Sequence, residues 1–149
     1  MRLQLAVKVP SFRGRDFYLC GIIAAMIRPQ VEFPLLEEYK KHFPITDDTI
    51  FALDEHIYTN NPLTKDLLVH ELVHLRQQKE IGVKEWVYDF LYDVEARLRF
   101  ELEAYREQLK SIKDRNQRHR IRMESADKLS SPLYGSIISR QDAYDLLKT

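Results

Sequence analysis

Apolar residues first recur with a period of two: Leu3, Leu5, Val7 and Val9 stand against Arg2, Gln4, Ala6 and Lys8, and Pro10 follows. That alternation predicts a strand over residues 2–9 with one buried face. From Phe17 to Ile27 the chain is apolar throughout (FYLCGIIAAMI), which predicts a buried helix. Pro29, Pro34 and Pro44 then punctuate a stretch with room for one helical turn around residues 35–42. Thr46-Asp47-Asp48 reads as a turn, and residues 49–59 carry enough β-branched and aromatic side chains for a second strand, bent at Asp54-Glu55. Asn60-Asn61-Pro62 signals a helix start, with Asn61 as cap and proline where no useful donor is lost. This helix is expected over residues 62–81, with Gly82 as its left-handed stop. A longer helix should begin near Val83 or Lys84, since Val87, Leu91, Val94, Leu98, Leu102, Tyr105, Leu109 and Ile112 keep helical spacing to residue 110 or beyond. The rest holds helix-sized apolar clusters broken by Ser130-Ser131-Pro132 and Gly135.

These elements predict an α+β fold: a short sheet including residues 2–9 and 49–59, packed on two helices. Residues 1–110 form the expected domain, and 111–149 a basic, mostly helical C-terminal extension. With 149 residues, 44% of them hydrophobic and 31% charged, the chain is long enough to bury one core. Its 23 Lys plus Arg balance 23 Asp plus Glu, so no bulk field draws it toward nucleic acid or an anionic membrane. The single cysteine, Cys20, excludes an internal disulfide and a Cys-rich zinc module, and fits a reducing compartment. The apolar run 17–27 is about half the roughly 20 residues of a bilayer helix. Asp16 abuts it, Arg28-Pro29 closes it, and no small-x-small cleavage site follows. The expectation is a soluble, cytoplasmic protein with no membrane partner.

Chemistry concentrates in His70-Glu71-Leu72-Val73-His74, an H-E-x-x-H sequence inside the first predicted long helix. Histidines at i and i+4 project from one helix face, so both imidazoles can reach one zinc ion. Glu71 lies about 100° further round the helix, where it cannot readily join the metal but can act on a water beside it. A general base belongs in that position. Leu67, Leu68, Val69, Val73 and Leu75 surround the pair, so the histidines face a partly buried environment.

A catalytic zinc site takes three protein ligands and leaves a fourth position open. The metzincin pattern needs glycine three residues and histidine six residues beyond the second histidine; Gln77 and Glu80 stand there instead, which excludes that class. Cys20, His42, His56 and His119 have no spacing that argues for them. A carboxylate from the second long helix is the better source. Glu101 interrupts that helix's apolar stripe, between Leu98 and Ala104-Tyr105. A carboxylate on a packing face needs a charged partner or a metal. Glu103, rotated by roughly 200°, lies near Arg99, Arg106 and Glu107 on the polar face, and Glu95 is spaced for a surface pair with Arg99. The helix-face argument ranks Glu101 first and Glu103 second.

His70-Glu71-Leu72-Val73-His74 followed by Glu101-Leu102-Glu103-Ala104-Tyr105 resembles the gluzincin clan of metallopeptidases. There a second helix carries Glu-x-x-Ala-Asp or a close relative, and its first Glu, Glu101 here, binds zinc. The segment 49–59 is similar to the edge strand along which zincins bind peptide. Small members, the minigluzincins, have about this size, and phage-encoded H-E-L-V-H proteins are similar. The likeness spans residues 49–110. It implies a small zincin-like domain that hydrolyses peptide bonds in a peptide or protein substrate, with Zn2+ held by His70, His74 and Glu101 and with Glu71 as general base. The sequence departs from the clan at Tyr105, where many members have an Asp that orients a zinc-bound histidine. Tyr58, His56, Tyr105 and Tyr134 are the donors available for an oxyanion.

Two other classes compete. Lys110 to Arg122 holds six basic residues and one acidic, enough to engage phosphates or an acidic partner. No aromatic residue interleaves these charges to stack bases, so a solvated helix end is the preferred reading and a nucleic-acid partner the lesser one. The other is an interaction protein that holds zinc without turnover. Residues 134–149 could also fold over the cleft and hold an enzyme latent.

Overall fold

The computed structural model describes Gly21 and residues 23–149. The predicted strand 2–9, Cys20 and most of the apolar run 17–27 lie outside the described residues. Residues 23–26 are helical, with Ala24 and Ala25 exposed rather than buried. Ile27 does not continue the helix as predicted: Ile27–Arg28 is a strand, β1. Arg28 precedes Pro29, and the proline ring disfavours helical backbone at that residue. After a 3-10 turn at Gln30–Glu32, the expected helical turn appears as α1, Leu36–Lys40.

The predicted strand 49–59 is a hairpin of two strands, β2 (Phe51–Leu53) and β3 (His56–Tyr58). Leu53 pairs with His56, so Asp54-Glu55 is the whole connection. Asp54 takes φ 57°, a left-handed conformation that Asp tolerates. The predicted bend is therefore a full reversal. In the resulting mixed sheet β3 is central, parallel to β1 and antiparallel to β2, and Ile57 at its middle is fully buried. β2 is an edge.

Helix α2 runs Lys65–Ile81, three residues shorter at its start than the sequence predicts. Asn61 does not cap it; the Asn61 side chain donates to Asp48 at 2.8 Å across the loop, and Thr64 holds the cap position. Gly82 ends the helix where expected, with its N–H on the Gln78 carbonyl at 2.8 Å, but at φ 105°, ψ 134°, an extended positive-φ conformation open to glycine rather than the left-handed helical one. The single long helix expected next is two, α3 (Val83–Tyr92) and α4 (Val94–Ser111). Asp93 leaves helical geometry, and its carboxylate accepts from Ala96 N–H at 3.0 Å, capping α4. The fold of the described residues is thus α+β, mostly helical, with a small three-stranded sheet.

Beyond α4 the chain forms α5 (Arg115–Leu129), capped by Asp114, a 3-10 turn at Pro132–Tyr134, and α6 (Arg140–Leu146), capped by Ser139. These elements share one core with α4: Leu109, Leu129 and Leu147 are fully buried together beside Leu98, Ile112 and Tyr134. Arg97 ties the same units. It donates to Phe90 O at 2.5 Å, Leu91 O at 2.8 Å and Leu133 O at 2.7 Å. The first two carbonyls belong to the last turn of α3, which has no helical donors for them; the third holds the Pro132–Tyr134 turn in place. Burial lowers the pKa of this guanidinium, and the carbonyls offset that cost. No helix among the described residues is long and apolar enough to cross a membrane.

The shared core makes a prediction. Leu129→Ala should cost about 2–5 kcal/mol and lower the urea midpoint read by Trp86 fluorescence, although Trp86 lies in a separate cluster beside Ala96 and Phe100. An unchanged Trp86 transition would mean that α5 and α6 fold independently of the rest.

Candidate metal centre

α2 and α4 pack against each other and bring His70, His74 and Glu101 together, all buried. His70 Nε2 lies 3.2 Å from His74 Nε2 and 3.1 Å from Glu101 Oε2, and His74 Nε2 is 3.6 Å from Glu101 Oε1. Bond lengths of 2.0–2.1 Å around a tetrahedral zinc put neighbouring ligand atoms about 3.3 Å apart. The observed spacings bracket that value.

The far sides of the imidazoles decide what the near sides are. His70 Nδ1 is 3.0 Å from Gln108 Oε1, and His74 Nδ1 is 3.0 Å from Gln77 Oε1. Neither carboxamide can be turned round. Gln108 Nε2 donates to Asp66 Oδ2 at 2.8 Å; Gln77 Nε2 donates to Phe100 O at 3.1 Å and Glu103 Oε2 at 2.7 Å. Those partners only accept, so the amide oxygens must face the histidines, and each Nδ1 carries its proton. Trp86 Nε1 adds a second donor to Gln77 Oε1, at 3.2 Å. Both Nε2 atoms therefore present lone pairs toward each other and toward a carboxylate. Three acceptors converging without a donor call for a cation: a metal ion, or a proton on one imidazole.

The proton alternative leaves a trace. Burial pushes the His74 pKa down, but the Glu101 charge and hydrogen bond outweigh it and raise the value to about 9. Glu101 moves the opposite way: burial alone would raise its pKa, and the two histidines hold it well below the usual carboxylate range. The three side chains thus form an ion-paired cluster and also a set of atoms, all within 4.8 Å of one another, that could hold a metal ion.

Glu101, and not Glu103, is the carboxylate that meets the histidines. Glu103 turns outward to an ion pair with Arg76 and to Gln77. Tyr105 does not bond His70 but packs edge-on against its ring, at 4.5 Å between centroids. The orienting task falls to Gln108, three residues further along α4. His42 pairs with Glu38 near the surface, His56 sits on β3 and His119 bonds the Tyr144 hydroxyl, all apart from the cluster.

The cluster opens on a cavity of about 640 Å3, lined by Glu71 as well as by the three converging side chains. Glu71 is buried, which pushes its carboxyl above the ordinary range; the flanking histidines pull it down and Glu101 adds to the rise. Phe43, Trp86 and Phe90 form an aromatic wall, and β2 contributes Phe51 and Ala52. Ala52 O accepts from Gln78 Nε2 at 2.9 Å and Asp54 N–H donates to Gln78 Oε1 at 2.8 Å, so one side chain of α2 holds the outer edge of β2 near its turn. Of the four proposed oxyanion donors, Tyr105 and Tyr134 line the cavity; His56 and Tyr58 do not. Burial, with Glu101 adding to it, pushes both cavity hydroxyls well above their usual pKa.

Sequence reasoning missed Gln77, Gln108, Asp66 and Trp86. A spacing signal existed for the amides: Gln77 is seven residues after His70, and Gln108 seven after Glu101, each two turns along the same helix face. Compared with protein-family models, curated proteins and solved structures, the chain matches none.

Removing an orienting partner of a metal-bound histidine costs 10–100-fold in affinity. Gln108→Ala should therefore weaken zinc binding by about that factor in competition with a chromophoric chelator. Affinity equal to that of the unaltered protein would show that Gln108 does not set the His70 ring.

Proposed function

We propose that the protein is a zinc-dependent metallopeptidase of the gluzincin kind, with His70, His74 and Glu101 as metal ligands and Glu71 as general base. The observation that carries this reading is the convergence of two imidazole lone pairs and a carboxylate at 3.1–3.6 Å, on a cavity that Glu71 also lines. Zinc, when bound, supplies Lewis acidity that polarises a peptide carbonyl and eases the ionisation of water.

The chain's own groups supply the remainder. Gln77 and Gln108 hold both imidazoles with Nε2 free and aimed inward. Glu71, with its raised pKa, accepts the proton of the attacking water and hands it to the leaving amine, so one group serves as base and then as acid. Tyr105 and Tyr134 stay protonated and are available as donors to the developing oxyanion. A strand residue's N–H and C=O point the same way, so Ala52 N–H shares the outer edge with the carbonyl that Gln78 holds. Phe51 and Ala52 line the same cavity as the cluster, so an extended peptide bound beside β2 would lie next to it.

A second reading has its own support. The distances of Glu101 to the histidines are also those of ion pairs. In this reading a shared proton satisfies the cluster, or a metal stays bound without turnover, and the chain acts by binding.

Elemental analysis and a pool of quenched fluorescent peptides separate the two. The enzyme reading expects about one zinc per chain, and Glu71→Gln that keeps the zinc while losing about 10²–10⁴-fold in kcat. Zinc-free protein, or cleavage unaffected by Glu71→Gln, overturns it.

A further inference from the structure

The basic segment takes no part in the metal centre, and the structure gives it a shape of its own. Arg115, Arg118, His119 and Arg122 fall at i, i+3, i+4 and i+7 of α5 and so share one face. That face lines a second cleft, of about 270 Å3, on a different part of the molecule; Leu109, Tyr144 and Thr149 complete its walls. No Asp or Glu side chain lines it. The charges on other faces are treated differently: Lys110 pairs with Glu107 and Arg120 with Glu124. Among the described residues, no carboxylate pairs with Arg115, Arg118 or Arg122.

Two of these guanidinium groups are held in place with donors to spare. Arg122 lies 3.7 Å over the Tyr144 ring, with Nε and Nη2 both on Tyr144 O at 2.9 and 2.5 Å, which leaves Nη1 free among the described residues. Arg118 spends Nη2 on Lys113 O at 3.2 Å. Its Nε is the one side-chain nitrogen or oxygen among the described residues that is buried with no hydrogen-bond partner. That nitrogen is closed to solvent, so the donor that Arg118 offers the cleft is Nη1, which makes no hydrogen bond among the described residues. Tyr144 O–H and His119 Nδ1 are 3.2 Å apart, fixing the imidazole at the cleft wall.

We propose that this cleft binds a phosphate group, with Nη1 of Arg118 and Nη1 of Arg122 as its main donors and Arg115 at its mouth. Planar, fixed guanidinium groups match the paired oxygens of a phosphate, and holding them beforehand lowers the ordering cost of binding. The cleft suits a single phosphate, free or carried by a small ester, rather than a nucleic-acid strand. Arg122 covers the Tyr144 face that a base would need for stacking, and the chain as a whole has no net charge.

Calorimetric titration of the full chain with inorganic phosphate, at constant ionic strength set by chloride, tests this. One saturable site is expected, weakened about tenfold or more by Arg118→Gln. Arg115→Gln should weaken it too; Arg115 is exposed, so an unchanged thermal midpoint separates this loss from misfolding. Adenosine monophosphate as a second titrant identifies the source: tighter binding than phosphate favours an ester, equal binding a free anion, and both support the site. No saturable binding overturns the proposal, as does binding that neither variant weakens. An oligonucleotide that binds with steep salt dependence and is not displaced by phosphate also overturns it, in favour of a nucleic-acid track.

Discussion

Two imidazole nitrogens and a carboxylate face one another in the space between α2 and α4, and each of the three is an acceptor. The repulsion among them is the constraint around which the interior is arranged. It is imposed from outside the cluster: Asp66 and the Phe100 carbonyl fix two carboxamides, the carboxamides fix two Nδ1 protons, and those protons commit both Nε2 atoms to lone pairs. A cation must close this arrangement. If it is a proton, the cluster is an ion pair whose histidine is raised to about 9. If it is a metal, the proton is displaced, so metal affinity and pH are linked through the same atoms.

The fold keeps these groups in register by segmenting the chain sharply. Gly82 stops α2 eight residues after His74, and Asp93 stops α3 so that α4 can start afresh and lie along α2. Arg97, one turn before Glu101, closes the end of α3 and pins the Pro132–Tyr134 turn, which brings Leu133 and Tyr134 to the cavity. The C-terminal helices thereby wall the site, and their core is continuous with that of α4. Helix α5 carries Arg115, Arg118 and Arg122 on another face, toward the second cleft.

The parts legible in the sequence were those with a local signature. H-E-x-x-H fixes two histidines on one helix face, Gly82 marks a stop, and Glu101 stands out as a charge in an apolar stripe. The rest needed partners distant in sequence. Gln77 and Gln108 are neutral and break no pattern, so only their i+7 spacing could have flagged them. The apolar period runs through Asp93 because the helices on both sides keep the same repeat. Asp54-Glu55 lacks the glycine that announces a tight hairpin, and β1 is two residues long, formed because Arg28 precedes proline and β3 lies beside it.

The proposed metallopeptidase requires His70, His74 and Glu101 to hold one metal ion through two imidazole nitrogens and a carboxylate oxygen. X-ray absorption at the zinc edge, on protein loaded with one equivalent, reads that shell directly. The expected result is a low-coordinate shell of nitrogen and oxygen at about 2.0–2.2 Å, with outer-shell scattering from two imidazoles. A sulfur neighbour near about 2.3 Å, or a shell of oxygens without imidazole scattering, would contradict it.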